Sequence, residues 1–338
     1  MKDGLLKYES MNNAFNIGDY IQSLAAKQYL QGTPILVSRE KLNEYKGEDV
    51  KLIMNGWFLD NTSNWPPSDK INPLFVSFHL NSSAYEILEK QEVISYFKQH
   101  EPIGCRDIIT RDKLLEKGIN AYFSGCLTLT LGETYISKIK TNKIIIVDPY
   151  FEIKLKFNML IRSIYFLITC FPSIKKVNLN RGLKNSFKNI LRTSFFFSQY
   201  FKILGKDQII NAEYVNHYLR DVDFKTEDSK FKYAQELIMK YSQAKLVVTS
   251  RIHCTLPCLG LETPVIYIRN LNEDEISTCR MDGLIQMFNV INYSNGYFTS
   301  DDIKISDRKL DFAVNKSIYK TYKNELIKTC KNFNVNKS

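Results

Sequence analysis

The run Ile144-Ile-Ile-Val147, closed by Asp148-Pro149, constrains the fold of this chain more than any other feature. A short apolar run with no polar alternation suits a strand covered on both faces. Such strands belong to parallel sheets flanked by helices. Earlier in the chain, residues 4–8, 50–54, 74–80, 101–106 and 121–123 read as strands. Residues 20–30 and 108–117 read as helices, the second stopped by Gly118. The pattern restarts at 143–148. It continues as a helix over 231–244, a strand at 245–249, a helix over 255–261, a strand at 264–268 and a closing helix over 310–333. Strand–helix alternation of this kind gives parallel strands joined by crossover helices, an α/β fold. A chain of 338 residues is long for one compact core. A boundary in 132–142 divides it into units 1–140 and 141–338.

Composition narrows the class. With 44% hydrophobic and 24% charged residues the chain reads as soluble and globular. The formal net charge of +10 fits nucleic acid, an anionic membrane surface or anionic substrates, and does not choose among them. Much of that charge is local. Residues 153–206 contain no Asp or Glu and eleven Lys or Arg, interleaved with Phe195-Phe-Phe197 and Tyr200-Phe201. Such a segment suits contact with anionic lipid; the alternative is a set of helices with an apolar core face and a solvated basic face. No nucleic-acid-binding module is recognisable, so no nucleic-acid partner is expected. The amino terminus lacks the apolar core of a signal peptide, and no ~20-residue apolar stretch offers a membrane span. The seven scattered cysteines suit a reducing compartment. The expected location is therefore cytoplasmic, with 153–206 available to the inner face of a membrane. Cys254 and Cys258 could share a helix face as metal ligands, but they sit in an apolar run without a second ligand pair, and no metal is expected.

Chemistry concentrates in Leu246-Val-Val-Thr-Ser-Arg-Ile-His-Cys-Thr-Leu-Pro257. A strand ends near Thr249, and a helix begins near Thr255, with Thr255 as its cap and Pro257 in its first turn. Amides of this turn and the helix dipole suit an anion, at the carboxyl end of a parallel strand, where ligands of such sheets bind. Arg251 and His253 alternate with Ile252, so both point out of the turn. Arg supplies a planar fork for phosphate or carboxylate, and His a proton near neutral pH. The plainer alternative makes Arg251 a surface ion pair and His253 a satisfied buried histidine.

The stretch Ala244-Lys-Leu-Val-Val-Thr-Ser-Arg-Ile-His-Cys-Thr-Leu-Pro-Cys-Leu-Gly-Leu-Glu-Thr-Pro-Val-Ile266 resembles the signature of the polysaccharide pyruvyl transferase family. Ile103-Gly-Cys-Arg-Asp107, Thr110 and Phe123-Ser-Gly-Cys-Leu-Thr-Leu-Thr-Leu131 resemble a second family motif, and Asn16-Ile-Gly-Asp19 with Gln22 a third. The likeness runs from about residue 4 to 290 and is weakest over 153–206. It implies two Rossmann-like domains facing a cleft, as in the GT-B glycosyltransferases. It implies phosphoenolpyruvate as donor, no cofactor, and a pyruvate ketal on a sugar acceptor, free or lipid-linked. Arg106, Arg251, Ile252 and His253 would hold the donor, with Arg280 facing the cleft. His253 would be the acid or phosphate partner. Asp19 would be the base, with helix capping as its plainer alternative. Asn16, Asn55, His79 and His217 are weaker candidates on the acceptor side. Two other readings stand beside this one: a nucleotide-sugar glycosyltransferase of the same architecture, and a non-catalytic protein that binds a glycan precursor.

Overall fold

The computed structural model describes residues 1–58, 62–153, 156–272, 280–305, 310 and 314–335. The chain is a mixed α/β protein built on two six-stranded sheets. Strands β1 (Lys2–Lys7), β3 (Ile35–Ser38), β4 (Val50–Phe58), β5 (Ile71–Leu80), β6 (Ile103–Cys105) and β7 (Ala121–Phe123) form the first, all parallel, in the order β3-β1-β4-β5-β6-β7. Strands β8 (Ile144–Val147), β9 (Glu213–Val215), β11 (Leu246–Thr249), β12 (Val265–Asn270), β13 (Asn289–Ser294) and β14 (Tyr297–Thr299) form the second, in the order β14-β13-β12-β11-β8-β9. Only the β13–β14 pair of that sheet is antiparallel. A separate antiparallel ribbon pairs β2 (Ala14–Asn16) with β10 (Tyr218–Arg220) and so ties the amino-terminal segment to the second half.

The helices are α1 (Ile17–Lys27), α2 (Gln91–Gln99), α3 (Ile108–Glu116), α4 (Gly132–Tyr135), α5 (Phe157–Thr169), α6 (Phe171–Asn180), α7 (Phe187–Tyr200), α8 (Lys206–Asn211), α9 (Glu227–Gln243), α10 (Ile252–Gly260) and α11 (Tyr319–Val335). The apolar run in β8 is buried throughout, and its two faces enter different cores. Ile145 and Val147 join a cluster with Val247 that reaches Leu5, Met54 and Phe78 of the first sheet. Ile144 and Ile146 join Leu246, Val248 and the helical layer of Phe166, Ile174, Phe196 and Tyr200. Helices α5, α6 and α7 are therefore a cover on one face of the second sheet. Although α11 comes last, it packs on the first: the rings of Tyr322 and Phe123 lie 5.0 Å apart, and Lys51 donates to the Phe333 carbonyl at 3.5 Å.

Several expected boundaries move. β4 does not end at Met54 but continues through Asn55-Gly56-Trp57, with a register shift between Met54 and Gly56 and a φ of +122° at Gly56 that favours glycine. α10 starts at Ile252, three residues before the expected start. Thr255 is not its cap; its hydroxyl donates to the Arg251 carbonyl at 3.0 Å. Pro257 lies inside the helix rather than in its first turn, and His253, four residues earlier, has non-helical dihedrals. The proline ring clashes with the carbonyl four residues back, which accounts for the break. The closing helix begins at Tyr319 rather than 310. Residues 311–313 of that expectation lie outside the described residues, as does Lys154 of the basic segment.

Candidate active site

Carboxyl ends of parallel strands from both sheets meet at one pocket of about 440 Å³. Tyr8, Arg39, Trp57, His79 and Arg106 enter it from the ends of β1, β3, β4, β5 and β6. Ser250, Arg251, Ile252 and His253 enter from the turn after β11, and His217 from the segment after β9.

Arg251 is half exposed. Its Nε donates to Asp148 Oδ2 at 2.8 Å, and the same oxygen accepts the His217 amide at 3.1 Å. Asp148 follows the apolar run of β8 and has a φ of +40°, the left-handed region that Asp tolerates better than most residues. The Arg251 amide is already used, donating to Thr249 Oγ1 at 3.0 Å, and the Cys254 amide bonds the Arg251 carbonyl. Two of the turn's amides are thus engaged within the turn itself.

Arg106 is buried, its amide held by the Phe78 carbonyl at 2.8 Å. Among the described residues it makes no salt bridge, and its Nε has no partner. Burial lowers its pKa, but a guanidinium stays charged at neutral pH. A buried cation without a paired carboxylate is costly unless an anion arrives. Its Nη1 lies 3.3 Å from His253 Nε2. His253 Nδ1 lies 3.4 Å from Gln22 Nε2. Burial, then the charges of Arg106 and Arg280, hold this imidazole well below its usual pKa. The histidine is therefore neutral, and Nε2 accepts from Arg106. Gly18 makes room for it: a Cβ there would come within 2.9 Å of His253 Cβ.

Asp19 stands in the first turn of α1, yet the cap is Asn16, whose Oδ1 accepts the Gly18 amide at 3.0 Å. Asp19 accepts from Gln22 Nε2 at 3.1 Å and lies 3.7 Å from Arg39 Nη1. Burial raises its pKa, against the pull of Arg39 and Arg106. Arg39 also pairs with Glu40 at 2.6 Å and sits 4.7 and 5.4 Å from the rings of Tyr8 and Trp57. His79 Nδ1 lies 2.6 Å from Asp107 Oδ2, and burial followed by Arg106 lowers its pKa to about 4. His217 Nε2 lies 2.7 Å from the Tyr241 hydroxyl, and burial lowers its pKa to about 4.

Of the residues singled out in the sequence, Asn16, Asp19, His79, Arg106, His217, Arg251, Ile252, His253 and Arg280 all line this pocket. Asn55 does not. It is buried and donates to the Gln22 carbonyl at 2.9 Å, because β4 runs past it instead of ending there. Arg39, Tyr8, Trp57, Asp107 and Asp148 were not anticipated as site residues. For Arg39 the available signal was Ile35-Leu-Val-Ser38, an apolar run that makes the next residue a strand end. Cys254 and Cys258 are fully buried in α10.

Residues 16–272 match the model of a family described as polysaccharide pyruvyl transferase. No curated protein matches the chain. Among solved structures it is similar to an uncharacterised protein from Klebsiella pneumoniae subsp. pneumoniae, at 13% identity and a TM-score of 0.39, over 80% of this chain and 84% of that one.

Proposed function

The chain belongs to the polysaccharide pyruvyl transferase family, and from that premise we propose that it moves the enolpyruvyl group of phosphoenolpyruvate onto a sugar as a pyruvate ketal. The observation that supports this most is the convergence of Arg106 from one sheet with Arg251 and His253 from the other around a single pocket. Phosphoenolpyruvate carries a phosphate and a carboxylate close together. Two guanidinium groups meet that pair of anions, each charge-assisted bond contributing roughly 1.5–3 kcal/mol. The two sheets serve as Rossmann-like domains, 1–140 and 141–338, in a GT-B-like arrangement, with the donor on the second.

Ketal formation joins C2 of the donor to two sugar oxygens. A proton goes to C3, the first hydroxyl adds at C2 as its own proton leaves, and the second hydroxyl replaces phosphate, which departs with that hydroxyl's proton. Asp19 takes a hydroxyl proton, its carboxylate made more basic by burial. His253 is neutral beside Arg106 and Arg280. A bound trianion offsets the charges of Arg106 and Arg280, raises the imidazole pKa and lets His253 carry the proton destined for C3 or phosphate.

The test incubates the protein with phosphoenolpyruvate and a panel of free, nucleotide-linked and lipid-linked sugars, following phosphate release. Calorimetry measures donor binding to the wild type and to Arg251→Ala. Donor binding weakened tenfold or more by the substitution, together with phosphate release on one acceptor, is the expected result. Saturable binding of a nucleotide sugar that phosphoenolpyruvate does not compete with would overturn it.

A further inference from the structure

Helix α5 turns an apolar stripe to solvent. Phe157, Ile161, Ile164, Tyr165 and Ile168 recur at helical spacing and are 76, 50, 42, 60 and 75% exposed. The opposite side already has its core contact: Phe166 is buried, and Ser163 Oγ lies 2.8 Å from Ser194 Oγ of α7. The outward stripe is therefore surplus to folding. Of the 21 large hydrophobic side chains exposed among the described residues, nine fall between 153 and 187. A concentration of that kind marks an interaction surface rather than scattered surface residues.

At Cys170 the chain bends by 98° into α6, which leaves Phe171, Lys175, Lys176 and Leu179 exposed. Among the described residues no single helix is long and apolar enough to cross a membrane. The charge around the stripe selects what covers it. Exposed Lys156, Lys175 and Lys176 and half-buried Arg162 flank it, and residues 153–206 contain no Asp or Glu. A second copy of the same surface would oppose like charges, whereas an anionic lipid surface meets both the apolar stripe and its basic rim.

We propose that α5 and α6 dock flat on an anionic bilayer, with Phe157, Ile161, Tyr165 and Ile168 entering the headgroup boundary and Lys175 and Lys176 meeting lipid phosphates. The location suits this task. β8, β11, β12 and β13 run parallel, so the turns holding Asp148, Arg251 and Asn295 share one edge of the sheet. α5 starts at that edge, where Lys156 Nζ donates to Asn295 Oδ1 at 2.6 Å. A lipid-carried acceptor would reach the edge that bears Arg251. That corollary rests on the transferase reading, and the docking itself does not.

The experiment sediments the full chain with phosphatidylcholine vesicles, with and without phosphatidylglycerol. Pelleting is expected only with the anionic lipid, and it is lost at high salt. Lys175→Glu with Lys176→Glu, and separately Ile161→Ser with Ile168→Ser, each lower partitioning about fivefold or more while the circular-dichroism melt is retained. The proposal is overturned by absence of pelleting, by equal pelleting on neutral vesicles, or by variants that bind as the wild type does. A dimer in ultracentrifugation that the Ile161 and Ile168 pair dissolves would also overturn it, making a second copy the occupant. Vesicle binding in a protein that ignores phosphoenolpyruvate sinks the transferase reading alone.

Discussion

Arg106 and His253 come from opposite sheets and meet with Nη1 and Nε2 3.3 Å apart. Because Arg106 is buried and makes no salt bridge among the described residues, an anion would be its natural partner. Arg106→Ala is expected to weaken phosphoenolpyruvate binding by roughly tenfold or more, read by calorimetry. Unchanged affinity would place the donor elsewhere.

The same contact predicts a proton uptake. His253 is neutral beside Arg106 and Arg280 and gains basicity when an anion offsets their charge. Calorimetric titration of phosphoenolpyruvate near neutral pH, in buffers of different ionisation enthalpy, should report net protons taken up on binding. His253→Gln should abolish that uptake. A buffer-independent binding heat in the wild type would exclude His253 as the carrier of that proton.

Asp19 and Arg39 predict a shift in the rate profile. Arg39 pulls the Asp19 pKa down against burial, so Arg39→Gln raises it. The base must be deprotonated, and the acid limb of kcat/KM therefore moves to higher pH. Asp19→Asn should lower kcat by roughly 10²–10⁴-fold, the range for loss of a general base. An unshifted acid limb in Arg39→Gln argues against Asp19 as the base.

Acid should destabilise the fold through two histidines. His79 and His217 have folded-state pKa values of about 4, below the unfolded value of about 6.5. Between these values the unfolded chain binds protons that the folded chain refuses, so stability falls as pH drops through the window. Each histidine accounts for up to ~3 kcal/mol across it. Urea melts over this range should show the slope, and His217→Gln should reduce it by the share of one proton.

What the sequence disclosed follows from how strongly each element is buried. β8 and β11 lie inside a sheet, covered on both faces, so their apolar runs were plain, and the turn that follows β11 led directly to Arg251 and His253. β3 is an edge strand of four residues, so the apolar run that would mark Arg39 as a strand-end residue is too short to stand out. β9 and β10 are three residues long, too short for any period to register. Asn55 was misplaced because a register shift at Met54 carries β4 onward, and nothing in the residue types announces a bulge.

During synthesis, Ala14–Asn16 leaves the ribosome long before its partner strand, Tyr218–Arg220, exists. Until then Phe15 lacks the ring of Phe224, and Tyr20 that of Phe231, each 5.1 Å away in the finished protein. The nascent first half therefore waits with the apolar side of α1 uncovered, a state in which chaperones have something to hold. His217, which accepts the Ile17 amide through its carbonyl, arrives in the same late segment. The pocket is among the last parts of the molecule to be completed.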